Sequence, residues 1–315
     1  MRYVTLGASG IRVSRLCFGS LTIGPLQAGL SVAEGAELIR QALELGVNFI
    51  DTAQCYDNYP HIRAALKGWP GEVVLATKSY DYTAAGMASS LAEARQELDR
   101  EVIDIFLLHE QETALTLAGH RPALDYLLEA RERGLIRAVG ISSHAVEAVR
   151  VAATMPEIDV IHPLYNQAGL GILDGSREEM LAAITLAHNN GKGIYAMKAL
   201  GGGHLAGKAR AALDFVLATP VIDAVAVGMQ STAEVAANVA WFSGREPPEA
   251  LRQQLQDRPR RLLIEEWCQG CGRCVQRCPQ GALKLVAGRS VVDPERCILC
   301  GYCAGVCRDF CIKVI

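Results

Sequence analysis

Two matching runs of cysteine near the end of this 315-residue chain carry the clearest chemical signal in the sequence. Their members are spaced as Cys268-x2-Cys271-x2-Cys274-x3-Cys278 and as Cys297-x2-Cys300-x2-Cys303-x3-Cys307. Thiolates at this spacing hold 4Fe-4S clusters, and in paired runs the fourth cysteine of each run binds the cluster of the other. The spacing therefore predicts two clusters, one on Cys268, Cys271, Cys274 and Cys307 and one on Cys278, Cys297, Cys300 and Cys303.

Other uses of these cysteines fit the pattern less well. Zinc usually takes two Cys-x-x-Cys pairs separated by a longer loop, and disulfides need an oxidising compartment. Glycines between the thiolates, such as Gly270 and Gly301, let the backbone turn tightly and direct N–H groups at the sulfurs. Cys311 lies outside both runs, and we expect it to be a buried thiol rather than a ninth ligand.

Four polar residues earlier in the chain form a second candidate for chemistry. Asp51, Lys78 and His109 each end a predicted strand, and Tyr56 follows Asp51 in the next loop. A lysine ammonium near a phenol favours the phenolate and lowers the phenol pKa, while a carboxylate holds the lysine in place. Tyr56 would then exchange a proton near neutral pH, and His109 would hydrogen-bond and orient a substrate carbonyl.

The elements that carry these residues alternate between short apolar runs and longer amphipathic stretches such as 33–45 and 87–100. The predicted strands are residues 16–19, 48–52, 73–77, 103–109, 137–141, 160–163, 193–198 and 224–228. Eight such repeats over about 240 residues match a TIM-type (β/α)8 barrel of the α/β class, in which catalytic groups gather at the C-terminal ends of the strands. A doubly wound open sheet is the alternative, although no Gly-x-Gly-x-x-Gly follows the first strand.

A change of character near Pro247 and Pro248 divides the chain, because two prolines halt a helix and the second can open the next one. We predict a barrel domain over residues 1–245 and a linker helix over 246–266. The remaining residues, 267–315, are predicted to form a small α+β iron-sulfur domain.

Both predicted domains resemble known families. Residues 267–315 resemble a bacterial-type ferredoxin with two clusters, and roughly residues 1–240 resemble the aldo-keto reductase superfamily. Leu6–Gly19 is similar to the family's opening hairpin and first strand, and Gly46–Tyr56 to its signature around a catalytic Asp and Tyr. The resemblance extends to Ala76–Lys78 and Leu107–His109, and it implies that Asp51, Tyr56, Lys78 and His109 form a catalytic tetrad with Tyr56 as general acid and base.

The resemblance also implies a nicotinamide cofactor, NADP or NAD, lying extended across the barrel mouth without a Rossmann fold. The implied contact residues are Gly19, Ser142, Ser143, His162, Leu200, Gly201, Gly202, Gly203, Gly228, Gln230, Ser231, Glu234 and Asn238. Ser143 stands where the family usually has asparagine, and His162 stands where it usually has glutamine. These two contacts therefore depart from the family pattern.

Two of the implied cofactor segments can also be interpreted from their chemistry. The glycine run in Leu200–Gly207 resembles the loop that wraps the pyrophosphate, because missing side chains let backbone N–H groups approach phosphate; a flexible connector is the alternative. At Gln230 and Ser231 many family members place arginine or lysine for a 2′-phosphate. Their absence predicts a preference for NAD or weak discrimination.

Composition excludes several classes of function. A formal net charge of −3 gives no indication of nucleic-acid or anionic-membrane partners. No apolar run reaches the roughly 18 residues of a membrane span, and no basic-then-apolar segment opens the chain, so we expect a soluble cytoplasmic protein. Residues 257–315 hold ten Lys or Arg against six Asp or Glu. This excess offsets the negative charge of the clusters.

Three functional hypotheses follow. The first is an oxidoreductase that interconverts a small polar carbonyl compound, such as a sugar, and an alcohol, with the clusters linking it to a ferredoxin-like or other redox partner. The second is an electron-relay and docking protein whose barrel has lost turnover. The third keeps the carbonyl reductase and makes the clusters structural, since bound metal can supply folding free energy to a short segment.

Overall fold

The computed structural model describes residues 1–256 and 259–315, and its larger part is a closed barrel of eight parallel strands. An antiparallel hairpin of β1 (Tyr3–Thr5) and β2 (Arg12–Ser14) precedes the barrel. The barrel strands are β3 (Leu16–Gly19), β4 (Phe49–Asp51), β5 (Val74–Ser79), β6 (Ile103–Leu108), β7 (Ile136–Ser143), β8 (Val160–Pro163), β9 (Gly193–Ala196) and β10 (Ala224–Gly228). The barrel closes where β10 pairs with β3, with Val225 opposite Leu16.

The hairpin seals the end of the barrel where the strands begin. Leu6, Ile11 and Val13 are fully buried there, in one cluster with Phe49 and Val160 from the first positions of their strands. Because this end is filled by apolar side chains, the polar residues of the strands collect at the opposite, C-terminal end. A barrel of this kind places its functional groups at that end.

Helices cover the outside of the barrel. They are α1 (Val32–Glu44), α2 (Tyr59–Leu66), α3 (Ala84–Glu97), α4 (Ala114–Gly119), α5 (Arg121–Glu132), α6 (Val146–Thr154), α7 (Arg177–Asn189), α8 (Ala209–Leu217) and α9 (Thr232–Phe242). In α1, for example, Ser31 and Glu34 form a reciprocal capping box, and Leu38 and Ala42 face the core one turn apart. None of the described helices is long and apolar enough to cross a membrane.

The prediction of a (β/α)8 barrel is confirmed, and the open-sheet alternative is wrong. Each predicted strand overlaps an observed one, and the two helices predicted over 33–45 and 87–100 correspond to α1 and α3. The spacing of apolar residues predicts both kinds of element. Barrel strands are buried on both faces and are therefore short continuous apolar runs, whereas each helix buries one stripe and repeats its apolar residues at helical spacing.

The C-terminal part begins with a helix that is shorter than predicted. The linker helix expected over 246–266 is observed as α10 (Glu249–Gln256), residues 257 and 258 lie outside the described residues, and β11 (Leu262–Ile264) follows as a strand. The extended form is favoured by Pro259, which cannot donate a helical hydrogen bond. Strand pairing with Ile312–Val314 then satisfies the backbone of Leu262–Ile264. The prediction of a helix over the second half of this segment is therefore wrong.

The cluster domain is built around its cysteines. It contains α11 (Arg273–Arg277), a hairpin of β12 (Leu283–Val286) and β13 (Arg289–Val292), and β14 (Ile312–Val314), which pairs with β11. Three of the buried core residues are cysteines, namely Cys274, Cys303 and Cys311, and they pack with Leu262, Leu283 and Ile312. A core this small depends on its metal-binding residues for stability.

Strand β14 docks on the barrel at the glycine run after β9. The backbone N–H of Val314 donates to the carbonyl oxygen of Gly202 at 2.9 Å, and His204 Nε2 lies 2.9 Å from the carbonyl oxygen of Ile312. Gly203 has a φ of +88°, and a Cβ there would overlap the carbonyl oxygen of Val314. Glycine is therefore required at this position by the approach of the C-terminal strand.

We predict that Gly203→Ala loosens this docking, since a left-handed backbone costs an L-residue roughly 1–2 kcal/mol and the added methyl overlaps Val314. Hydrogen–deuterium exchange of the peptide spanning 312–315 should become faster by about tenfold or more. Gly207→Ala in the same loop is the matched control, because a Cβ there has no atom within 4 Å. Equal exchange rates of residues 312–315 in the two variants would contradict the docking of β14 on the glycine run.

Candidate active site

One cavity at the C-terminal end of the barrel collects the four residues predicted to act together. Its volume is about 670 Å³, and its lining includes Asp51, Tyr56, Lys78 and His109. Asp51 ends β4, Lys78 lies near the end of β5, His109 directly follows β6, and Tyr56 ends a short 3-10 turn over Gln54–Tyr56. The sequence places these residues on three neighbouring strands and one loop, and the barrel brings them to one rim.

Asp51 and Lys78 form a buried ion pair. Lys78 Nζ lies 2.9 and 2.8 Å from the two carboxylate oxygens of Asp51 and 2.6 Å from the carbonyl oxygen of Thr52. The three N–H bonds of the ammonium group are thereby used, and both side chains are almost inaccessible to solvent. Such a pair fixes the position of the charge, because removing either partner would leave an uncompensated ion in the interior.

Tyr56 lies above this pair as a neutral phenol. Lys78 Nζ is 4.9 Å from the centroid of its ring, but the ammonium hydrogens point to other acceptors. Burial, together with the nearby carboxylate of Asp51, raises the pKa of Tyr56 well above its ordinary value. The sequence predicts a lowered phenol pKa, and this prediction is wrong because the pKa is raised in the structure. Tyr56 therefore carries its proton at neutral pH.

His109 is a neutral imidazole held by aromatic and sulfur contacts. Its ring stacks on Tyr80 at 4.2 Å and meets the ring of Tyr56 edge-on at 5.9 Å, while Cys55 Sγ lies 3.8 Å from Nδ1. Burial, with the nearby Lys78 charge second, lowers the pKa of His109 well below its ordinary value. A neutral imidazole can donate one N–H to a carbonyl oxygen without adding a charge.

Two further residues support Asp51, and the sequence did not identify one of them. Tyr195 on β9 donates its hydroxyl to Asp51 Oδ1 at 3.0 Å, and His162 stacks on Tyr195 at 3.9 Å between ring centroids. His162 also lies 2.6 Å from the carbonyl oxygen of Tyr195, and burial lowers its pKa to about 4. Inward alternation along the strand that carries Tyr195 is the signal that could have found it.

The implied cofactor residues divide into two groups. Those lining the cavity are Gly19, His162, Leu200, Gly202, Gly203, Gly228, Gln230 and Glu234, and those absent from its lining are Ser142, Ser143, Gly201, Ser231 and Asn238. The hydroxyl of Ser143 is bonded to the backbone of Ala145, and that of Ser142 accepts from the N–H of Glu110. Neither serine is among the residues that line the cavity, and their contact with a carboxamide stays a prediction.

The far end of the cavity carries a carboxylate. Ser231 caps α9 by accepting from the N–H of Glu234, and the carboxylate of Glu234 accepts from the N–H of Gln230 at 2.6 Å. The anion that a helix N-terminus favours is thus supplied by the chain itself.

The lining of the cavity includes both the tetrad and residues implied for a nicotinamide dinucleotide, among them Gly202, Gly203, Gln230 and Glu234. Binding of the dinucleotide along this lining stays a prediction. One wall differs from that expectation, because Phe310, Lys313 and Val314 of the cluster domain line the cavity beside the glycine run. The two domains together enclose the site.

The first predicted set of cluster ligands also shares a cavity. Cys268, Cys271, Cys274 and Cys307 border one small space together with Cys311, and Asp309 lines both this space and the large cavity. The hydroxyl of Ser290 lies 3.3 Å from Cys274 Sγ. Cys311 is buried, with its Sγ 3.3 Å from Cys307 Sγ. Five cysteines thus border this space, and the assignment of four of them to one 4Fe-4S cluster stays a prediction from their spacing.

Family comparisons match both parts of the chain. The Aldo/keto reductase family matches residues 15–211, and the 4Fe-4S dicluster domain matches residues 262–308. These matches confirm the two resemblances drawn from the motifs.

Similar proteins align with the barrel. An aldo-keto reductase of Mycolicibacterium paratuberculosis is 30% identical over 154 residues, which are 45% of this chain and 53% of that protein. A D-threo-aldose 1-dehydrogenase of a Pseudomonas species is 26% identical over 191 residues, 49% of this chain and 57% of that protein. The chain thus spans about half the length of these curated relatives. A solved structure of an aldo-keto reductase from Pseudomonas aeruginosa has a TM-score of 0.66 at 26% identity, covering 77% of this chain and 94% of that one.

We predict that Lys78→Met lowers the free energy of unfolding by about 3–5 kcal/mol, because it leaves the Asp51 carboxylate buried without its cation. Asp51→Asn in the same chain should recover much of the loss, since it removes the stranded charge. Urea unfolding of the three proteins measures this. Arg121→Met, which breaks the solvent-accessible ion pairs with Asp125 and Glu157, is the control and should change stability little. An equal loss of unfolding free energy in Lys78→Met and in the double variant would contradict a buried ion pair between Lys78 and Asp51.

For the cluster ligands, we predict that Cys271→Ser loses about four of eight iron atoms on anaerobic iron and sulfide analysis, because one cubane loses a thiolate. Cys55→Ser in the barrel and Cys311→Ser should both retain about eight iron atoms, as neither belongs to a ligand set. Loss of iron in Cys311→Ser would show that this thiol is a ligand.

Proposed function

The chain belongs to the aldo/keto reductase family, and from this premise we propose that it is an oxidoreductase that interconverts a carbonyl compound and an alcohol. The observation that carries the proposal is the arrangement of Tyr56, His109 and the Asp51–Lys78 pair around one cavity. A nicotinamide dinucleotide bound along the cavity would supply or accept the hydride. NAD is favoured over NADP because Gln230 and Ser231 stand where many family members place arginine or lysine for a 2′-phosphate.

Tyr56 is the proton donor in the reducing direction. Its raised pKa keeps the phenol protonated, so that it can give its proton to the carbonyl oxygen as negative charge develops there. The phenolate left behind would lie near the Lys78 ammonium, which is 4.9 Å from the ring and held in place by Asp51. This charge stabilises the phenolate until it is protonated again, and the same phenolate is the base for alcohol oxidation.

His109 orients the substrate. Its neutral ring, fixed by stacking on Tyr80, can donate an N–H to the same carbonyl oxygen that receives the proton of Tyr56. Two donors that converge on one oxygen set the carbonyl carbon in a defined position relative to the hydride donor. The cavity lies at the mouth of the barrel, where a small polar carbonyl compound would reach both groups.

We further propose that the clusters exchange electrons with a ferredoxin-like or other redox partner. The cluster predicted on Cys268, Cys271, Cys274 and Cys307 is separated from the active-site cavity by the segment 308–310, and Asp309 lines both spaces. A structural role is the second candidate, favoured by the share of cysteine in the small core of the cluster domain. Anaerobic mixing of the chemically reduced protein with oxidised dinucleotide and the carbonyl substrate distinguishes the two. Re-oxidation of both clusters, one electron from each for every dinucleotide reduced, would support electron exchange, whereas clusters that stay reduced would support the structural role.

We predict that Tyr56→Phe lowers kcat for carbonyl reduction by about 10²–10⁴-fold, because the only change is loss of the proton donor. Binding of the dinucleotide and the iron content should remain as in the parent. Tyr82→Phe is the matched control, since the side chain of Tyr82 is 63% exposed and lies outside the cavity lining. Steady-state kinetics of the three proteins measure the effect.

The pH dependence follows from the same groups. The pKa of Tyr56 is raised and that of His109 is lowered, so both remain in the proton-donating neutral form across neutral pH. The kcat for reduction should therefore be constant between about pH 7 and 9, a range in which an ordinary imidazole completes its titration and an ordinary phenol begins its own.

Full activity of Tyr56→Phe would contradict the role of Tyr56 as proton donor.

A further inference from the structure

Two lysines, one from each domain, lie beside the same aromatic ring in the active-site cavity. Lys198 follows β9 and its Nζ is 4.7 Å from the centroid of Phe310, while Nζ of Lys313 on β14 is 3.4 Å from that centroid. Both residues and Phe310 line the cavity. The ammonium groups are thus brought together by docking of the cluster domain, and neither domain holds both.

The two lysines have polar partners but no counterion. Lys198 Nζ lies 2.8 Å from His144 Nε2, and Lys313 donates to the carbonyl oxygen of Phe310. Among the residues that the structure describes, the ion pairs within 4.0 Å do not include either lysine. Glu110 and Glu265 act on Lys198 from farther away, and Glu265, Cys307 and Cys311 act on Lys313 in the same manner. Neither ammonium group therefore has a carboxylate within ion-pair distance among the described residues.

Burial makes this arrangement costly in the absence of an anion. Lys313 is 5% exposed, and desolvation lowers its pKa well below the ordinary value; the same cause lowers the pKa of Lys198 to about 8. Lys198 also has a φ of +58°, a left-handed conformation that is unfavourable for a residue with a side chain. Strain and desolvation at one spot that faces a cavity are typical of a binding site.

We propose that Lys198 and Lys313 form an anion site shared by the two domains. The ligand is a phosphate or carboxylate group, and two sources are chemically equivalent: the diphosphate of the dinucleotide or an acidic group of the carbonyl substrate. A Cβ at Gly202 would lie 3.0 Å from Lys313 Cδ, so the lysine stem runs along the glycine run itself. The cluster domain thereby covers one face of this loop and brings a cation to the cavity beside it. The choice between the two sources rests on the proposed function, whereas the anion site does not.

The geometry explains why docking of the cluster domain would affect the barrel. If β14 lifts from Gly202, Lys313 leaves the cavity and the anion site loses one of its two charges. A bound anion would in turn hold the two domains together, because it contacts a cation of each. Anion binding and domain docking are therefore coupled equilibria.

The test uses the cluster-loaded protein under anaerobic conditions and the variants Lys198→Met and Lys313→Met. Calorimetry measures the dissociation constants of inorganic pyrophosphate, of NADH, and of malonate in the presence of saturating NADH. Each variant should weaken one of these by about tenfold or more, which is the loss of about 1.4 kcal/mol. Lys198→Arg and Lys313→Arg should recover part of the affinity, since the charge is kept. Lys208→Met and Lys284→Met, which remove exposed lysines of each domain, should have no effect.

The pattern of losses identifies the source of the anion. Weaker pyrophosphate and NADH binding assigns the site to the dinucleotide, and weaker malonate binding alone assigns it to the substrate. Changes within twofold for all three ligands in both methionine variants would overturn the proposal. Lys198→Met provides the answer where Lys313→Met does not fold, because Lys198 lies outside the cluster domain. A protein that binds these anions without any carbonyl turnover would refute the proposed function and leave the anion site standing.

Discussion

The contact between the C-terminal strand and the glycine run after β9 determines how the rest of this molecule is used. Val314 donates to Gly202, and Gly203 leaves the space that the carbonyl oxygen of Val314 occupies. Because the backbone of Val314 contacts the backbone of the glycine run directly, Gly203 cannot be replaced by a residue with a side chain without displacing the C-terminal strand. The contact turns the open mouth of a barrel into a cavity with walls from two domains, and residues 308–310 of the cluster domain line that cavity together with the tetrad.

Within that cavity, charge is held in fixed positions while the proton donors stay neutral. Asp51 is bonded to Lys78 and Tyr195, so its carboxylate and the lysine ammonium cannot move without breaking a buried network. Burial keeps Tyr56 and His109 uncharged, which suits donors to a carbonyl oxygen. In the proposed reaction, Lys78 is a nearby cation for the phenolate that would form on proton transfer. Each of the four residues has one physical task in that reaction.

The sequence predicted what depends on local periodicity and ligand spacing. Barrel strands, the residues at their C-terminal ends and the cysteine runs follow from such patterns, because burial repeats along each element. It could not predict long-range docking. The interpretation of the glycine run as a phosphate loop stays a prediction, and the structure adds that β14 docks on this run. The helix expected over 246–266 gives way to pairing of Leu262–Ile264 with Ile312–Val314. Tyr195, Lys198 and Lys313 contact Asp51, Phe310 and Gly202, which are distant in the chain.

The central claim is that both domains enclose one site, with the cluster on Cys268, Cys271, Cys274 and Cys307 nearest to it. Electron paramagnetic resonance of the reduced protein, recorded with and without saturating NADH, tests it most directly, because NADH can occupy the cavity without taking electrons from the clusters. We predict a changed signal for one cluster only, since a dinucleotide beside Phe310 and Lys313 would alter the surroundings of the nearer cluster. Identical spectra with and without bound dinucleotide, for both clusters, would contradict the shared site.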